Sequence, residues 1–115
     1  MLAFFEAYPL RPDTLCSEPV ADCLRARGVV VPFSRRRQAA LWRRGMLLGA
    51  HAAARALGAR EITPSDASEG DVALIAQRDQ APALAMRARH AYVAASFGRL
   101  LIICEPVVLA TWRIG

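Results

Sequence analysis

The hydrophobic pattern changes near Arg60, and this change limits the folds that the chain can adopt. Before Arg60, apolar residues recur at helical spacing, as in the stripe formed by Leu15, Val20, Cys23 and Leu24. After it, short continuous apolar runs alternate with turn residues, which is typical of strands. The pattern therefore predicts an α+β fold in which N-terminal helices pack on a small C-terminal antiparallel sheet.

The same pattern gives approximate boundaries for the elements. Helices are expected over 2–8, 16–27, 35 to about 42–44, and 46–57, and strands over 71–76, 90–95, 100–104 and 107–114. The segment 77–89 is polar and contains Pro82, so we expect a long loop or a short helix there. We interpret the chain as a single domain, with a helical part over about 1–58 and a sheet part over about 71–115.

Composition narrows the class of protein. The chain has 115 residues, 55% of them apolar, which is enough to bury one core. No apolar run approaches the ~18 to 20 residues that a membrane span requires, so no membrane partner is expected. The N-terminus lacks a basic start and is not expected to be a signal peptide, which favours synthesis in the bacterial cytoplasm. Three cysteines without regular spacing are expected to be reduced thiols.

All fifteen basic residues are arginines, and five of them cluster between Arg35 and Arg44. Such a cluster is usually a solvated helix face, and contact with phosphate or another anionic polymer is the alternative. A basic nucleic-acid-binding module therefore stays open as one function. It is not the favoured one, because the tryptophans and tyrosines are scattered and form no base-stacking platform.

Motifs for metals and cofactors are absent from the sequence. No Cys-x-x-Cys or His-x-x-x-His spacing exists to build a closed metal site, and no glycine-rich loop could hold a phosphate. We therefore expect neither a metal nor a cofactor. His51 lies in an alanine-rich helix and is interpreted as surface or core filler.

Cys16 is the residue that most suggests chemistry, because it stands where a loop becomes a helix. Unpaired backbone N–H groups and the positive end of the helix dipole favour thiolate at that position, and thiolate is the nucleophilic form. Glu18 opposes this effect, because a neighbouring acid raises the pKa of a thiol. The competing interpretation is that Cys16 is a small buried apolar residue.

Taken in order, these features resemble the NlpC-type branch of the papain-like cysteine peptidases. The closest likeness is to a small phage-associated subfamily, in which the nucleophile is followed by Val-Ala-Asp. Three segments carry the resemblance: Cys16 with Val20-Ala-Asp22, Ala67-Ser-Glu-Gly-Asp-Val-Ala73, and Ala110-Thr-Trp-Arg-Ile114. The resemblance covers nearly the whole chain.

The resemblance implies a function and a set of site residues. It implies a phage or prophage cysteine hydrolase that cleaves an amide bond, most plausibly in peptidoglycan stem peptides. Cys16 would be the nucleophile and His90 the general base, with Glu105 or, less well, Cys104 orienting the imidazole. Asp71 would shape the turn into the first predicted strand without taking part in the chemistry.

Two departures from the family pattern motivate a second hypothesis. Leu15 stands where the family usually has Asp, and Pro9-Leu-Arg-Pro12 occupies the place of a Trp-Gly pair. The alternative is therefore a catalytically inactive member of the fold that acts as a structural or assembly protein in a virion or tail. Its partners would be phage tail proteins, and it could be incorporated in the particle.

Overall fold

The computed structural model describes all 115 residues, and it confirms the α+β arrangement. The elements are α1 (Leu2–Ala7), α2 (Ser17–Ala26), α3 (Arg35–Trp42), α4 (Met46–Ala56), β1 (Arg60–Ile62), β2 (Val72–Gln77), β3 (Gln80–Arg87), β4 (Tyr92–Ser96), β5 (Arg99–Ile103) and β6 (Val108–Arg113). All strand pairs are antiparallel, in one sheet of order β1-β6-β2-β3-β4-β5. None of the four helices is long and apolar enough to cross a membrane.

The helices lie close to their predicted positions because their ends carry clear local signals. Pro19 occupies the first turn of α2, where its missing N–H is not needed. Gly28 follows the end of α2 with a φ of +89°, a conformation that a side chain would strain. At the start of α3, the Ser34 hydroxyl accepts a hydrogen bond from the backbone N–H of Arg37 at 3.3 Å.

The expectation of a loop or short helix over 77–89 is wrong, because β3 occupies most of this segment. Pro82 is tolerated there because β3 pairs with β4 only from Ala85 to Arg87. Proline therefore removes no N–H from that ladder. On the other side, the β2–β3 register shifts between Ile75 and Gln77, next to the pairing partners of this part of β3.

Two further strand boundaries differ from the sequence-based expectation. The strand predicted from His90 begins at Tyr92, so His90 lies in the turn between β3 and β4. The segment before Asp71 contains β1, an unpredicted strand that pairs with β6. The predicted turn at Gly98 is confirmed: Phe97 and Gly98 both have positive φ and form a two-residue hairpin turn between β4 and β5.

The sheet is buried on both faces. The first face packs against the helices and includes Leu74, Met86 and Val93, which join the main apolar cluster. The second face carries a smaller cluster of six buried residues: Ala73, Ile75, Ala83, Ala85, Tyr92 and Ala94. Leu101 and Ile103 of β5 and Val108 of β6 pack against that cluster. These three residues extend the same apolar face on either side of the cluster, since Leu101 pairs with Ala94 and Val108 with Ile75.

Asp71 fixes the turn that leads into β2, as expected from the sequence. Its carboxylate accepts hydrogen bonds from the Ser68 backbone N–H at 2.8 Å and from two guanidinium nitrogens of Arg113, at 2.8 and 3.1 Å. Burial alone would raise the pKa of Asp71, but the bonds from Arg113 and Ser68 outweigh burial and lower it. The carboxylate thus ties the start of β2 to the end of β6.

We expect Asp71→Asn to destabilise the protein by about 1 to 2 kcal/mol at pH 7. The substitution removes the negative charge of the carboxylate that pairs with Arg113, whose side chain is partly exposed. The pKa of Asp71 is lower in the folded than in the unfolded state, so this stabilisation is complete above about pH 5. It is lost as the pH falls further through the pKa of the folded state. Urea unfolding of both proteins between pH 7 and pH 2 measures the difference.

Asp79→Asn is the matched control, because Asp79 is exposed and forms no ion pair or side-chain hydrogen bond. A difference between wild type and Asp71→Asn that stays constant down to pH 2 would contradict a stabilising role for the carboxylate charge.

Candidate functional site

Cys16 lies immediately before α2, and its sulfur is seated on β3. The backbone N–H of Leu84 donates a hydrogen bond to the sulfur at 3.5 Å. The last β3–β4 pair is Ala85 with Ala94, so this N–H lies just beyond the end of the ladder. Cys16 also packs against both apolar clusters. The thiol therefore satisfies a strand N–H at the point where β3 and β4 separate.

Burial, and not the helix terminus, dominates the ionisation of this thiol. Removal from water raises the pKa of Cys16, although the backbone N–H groups of Leu84, Cys16 and Ser17 act in the opposite direction. The backbone N–H groups thus act as expected from the sequence, but burial opposes them and is the larger effect. The carboxylate of Glu18, from which an effect on the thiol was expected, pairs with Arg35 at 2.6 Å.

His90 and Glu105 lie at the other end of the sheet from Cys16. His90 is in the β3–β4 turn, and the stretch of β3 from Leu84 to its end at Arg87 alone spans about 10 Å. Tyr92 pairs with Ile103, so Cys104 and Glu105 follow β5 at the same end as His90. His90, Cys104 and Glu105 are all exposed. The structure thus brings none of these three residues to the Cys16 sulfur.

A groove of about 310 Å³ lies beside Cys16, and its polar lining differs from that of a catalytic site. Gln77, Gln80 and Ser96 contribute amides and a hydroxyl, and Ser96 Oγ donates to Gln77 Oε1 at 3.4 Å. The one carboxylate is that of Asp13, which pairs with Arg35 at 3.3 Å. These groups can hydrogen-bond to a ligand, but none is a base that could deprotonate a thiol near neutral pH.

Neither histidine of the chain lines the groove beside Cys16. His90 borders a separate groove with Met1, Leu2 and Glu69. His51 packs its ring edge-on against Trp112, with the ring centroids 5.2 Å apart, and its Nδ1 lies 3.8 Å from Glu61. No group of three or more His, Cys, Asp or Glu side chains is arranged to hold a metal ion.

A buried hydrogen-bond network behind Cys16 was not identified from the sequence. Ser17 Oγ donates to Gln38 Oε1 at 2.5 Å and accepts from Trp42 Nε1 at 2.9 Å. Gln38 Nε2 in turn donates to the carbonyl of Phe33 at 3.0 Å. The network joins the first turn of α2 to α3, and it fixes the backbone that carries Cys16. A serine beside a cysteine and a glutamine in a helix give no sequence signal for such a contact.

The Arg35–Arg44 cluster divides into structural and solvated members. Arg35 pairs with Glu18 and also donates to the carbonyl of Asp13, and Arg37 donates to the carbonyl of Pro32. Arg36, Arg43 and Arg44 are exposed and form no ion pair. Part of the cluster therefore holds the loop before α2 against α3.

Comparison with known proteins adds no relative. No protein-family model, curated protein or solved structure matches this chain. Its function is therefore inferred from the geometry around Cys16 and from the surface of the sheet.

We expect Cys16 to react slowly with iodoacetamide in the folded protein, because its thiol is partly buried against the sheet and its pKa is raised. Exposed Cys104 should be modified first, and Cys16 should react at the rate of an ordinary thiol only in denaturant. Mass spectrometry of peptides, sampled over time at pH 6 and pH 8, measures each rate. Faster labelling of Cys16 than of Cys104 at pH 6, lost in His90→Ala, would contradict this assignment.

We expect Ser17→Ala to cost about 1 to 3 kcal/mol of unfolding free energy, because Gln38 and Trp42 would each lose a buried partner. Denaturant unfolding measures the effect. Ser65→Ala, at an exposed serine without a side-chain hydrogen bond, should change the free energy by less than about 0.5 kcal/mol. Equal effects of the two substitutions would show that the network is not a stabilising contact.

Proposed function

We propose that this chain is a non-catalytic domain with a papain-like, NlpC-type arrangement, and that it serves as a structural or assembly component. The observation that carries the proposal is the composition of the surface next to the Cys16 sulfur. The strand residues there are Ala83, Leu84 and Ala85, and no imidazole lines the adjoining groove. A cysteine hydrolase needs a base within hydrogen-bond reach of its nucleophile or of a water bridging to it.

Several features support the papain-like part of the proposal. A cysteine begins a helix whose first turn is seated on an antiparallel sheet. The Gly70-Asp71-Val72 segment leads into β2, the strand next to the one that contacts the cysteine. These features follow the order of the motifs on which the resemblance to the NlpC-type branch rests.

The assembly part of the proposal is supported by the distribution of exposed apolar side chains. Eight large apolar residues are exposed, and two of them, Phe97 and Ile102, belong to the β4–β5 hairpin at one edge of the sheet. Single exposed apolar residues are normal on a monomer, but here they accompany an edge strand, whose free backbone groups can pair with another chain. In the phage setting implied by the resemblance, this edge would meet other particle proteins, such as those of a tail.

The competing proposal is the cysteine hydrolase that uses Cys16 and His90. It requires His90, in the β3–β4 turn, to reach the sulfur beside Leu84, and hence a rearrangement of the β3–β4 hairpin. It also requires the partly buried thiol to ionise, which the raised pKa of Cys16 opposes.

We expect the purified protein to release no soluble peptide or new amino group from peptidoglycan above the level of Cys16→Ala. Chromatography of the digest and an assay for free amines measure the release. Cys104→Ser is the matched control, because it removes an exposed thiol away from the groove. Hydrolysis by wild type and Cys104→Ser that disappears in Cys16→Ala and in His90→Ala would overturn the proposal in favour of the hydrolase.

A further inference from the structure

We infer that β5 is a self-association edge, at which two copies of this chain pair antiparallel around Ile102 and extend the sheet across a two-fold axis. The inference rests on the proposed assembly function and names its partner, which is a second copy of the same chain. Three features support it: the unpaired backbone groups of β5, the exposed side chain of Ile102, and the charges of Arg99 at the start of β5 and Glu105 just after its end.

β5 is the outermost strand on its side of the sheet. It has five residues, Arg99-Leu-Leu-Ile-Ile103, without proline, lysine or a bulge. Soluble proteins normally place a proline, a lysine or a bulge in an edge strand, because its unpaired backbone groups can otherwise pair with another strand. The opposite edge strand, β1, has only three residues, two of them the charged Arg60 and Glu61. The two edges are therefore not equivalent, and β5 is the unprotected one.

The register of the β4–β5 hairpin determines which backbone groups of β5 are free. Ser96 and Arg99 flank a two-residue turn and form a hydrogen-bonded pair, and such pairs alternate along an antiparallel ladder. Leu100 and Ile102 consequently direct their N–H and C=O groups away from β4. A second antiparallel β5 can bond to both residues, and two such strands can be centred on Ile102 or on Leu101.

The charges select the register centred on Ile102. In that register Arg99 approaches the bend that follows β5 of the second copy and carries its Glu105, and the two-fold axis creates this charge pair twice. Neither Arg99 nor Glu105 forms an ion pair or a side-chain hydrogen bond within the chain. In the register centred on Leu101, Arg99 would instead lie opposite Ile103 of the second copy.

Side chains beside β5 add apolar area to the contact. Ile102 is 52% exposed, and it borders the same groove as Leu2, which is 37% exposed. The two-fold axis brings the two Ile102 side chains together, with Leu2 of each copy beside them. Pairing thus removes apolar surface from water in addition to satisfying the strand edge.

The first experiment is sedimentation equilibrium of the wild-type chain and of charge variants. We expect a reversible dimer whose dissociation constant rises at least about fivefold in Arg99→Glu, because each of the two ion pairs becomes a repulsion. Glu105→Arg should have the same effect, and the double variant Arg99→Glu/Glu105→Arg should restore association. Circular dichroism checks that each variant is folded. The inference is overturned if the chain is a monomer at all concentrations up to about 1 mM, or if neither Arg99→Glu nor Glu105→Arg changes the dissociation constant of the dimer.

The second experiment tests the register by oxidative cross-linking in a Cys104→Ser background. At a hydrogen-bonded pair on the axis, two cysteines have Cα atoms about 5.5 Å apart, which a disulfide can span. Ile102→Cys should therefore give a disulfide-linked dimer, and Leu101→Cys, the matched control, should not. The reverse result overturns the register centred on Ile102.

Assaying the same samples for peptidoglycan hydrolysis keeps the two proposals separate. Hydrolysis that depends on Cys16 would overturn the non-catalytic assignment, whatever the state of association. Absence of both hydrolysis and dimer would leave that assignment standing and remove β5 as the partner surface.

Discussion

The contact between the first turn of α2 and β3 is the constraint on which the rest of the structure depends. It joins the helical half of the chain to the sheet at the place where the two apolar clusters meet, and Cys16 packs against both. The Ser17 network then holds α3 against the same turn. A nonpolar sulfur suits this position, because it fills space between the clusters and still accepts the Leu84 N–H. In this structure the cysteine contributes to packing more than to reactivity.

A helix N-terminus does not by itself make a thiol reactive. The partial charges of the backbone N–H groups favour thiolate, but the cost of removing the sulfur from water is larger in this protein, and the pKa of Cys16 is raised. Reactive cysteines also require a cation or base beside them, whereas this sulfur lies against aliphatic strand residues. The acid near it in sequence, Glu18, is neutralised by Arg35.

The order of the elements could be predicted from the sequence because it depends on local signals. Caps and periodicity located the four helices, and apolar runs located β2, β4, β5 and β6 approximately. β3 could not be recognised, because proline normally argues against a strand. Pro82 is tolerated only because β3 and β4 are not paired at that position. The positions of the predicted site residues relative to one another could not be predicted for a related reason. Whether His90 faces Cys16 depends on which residue of β3 the sulfur contacts, and that is a tertiary contact with Leu84 that no local pattern contains.

The alanine-rich second face of the sheet has a consequence for how this chain can change. Four of the six residues in its cluster are alanines, and all six are buried. Because these side chains are so short, the atoms that pack on this face lie close to the backbone of the strands. A methyl group added at Ala85 or Ala94, both 0% exposed, would have to displace those atoms. Substitutions that enlarge a side chain are therefore expected to accumulate in the loops and at the edges of the sheet, and not on this face.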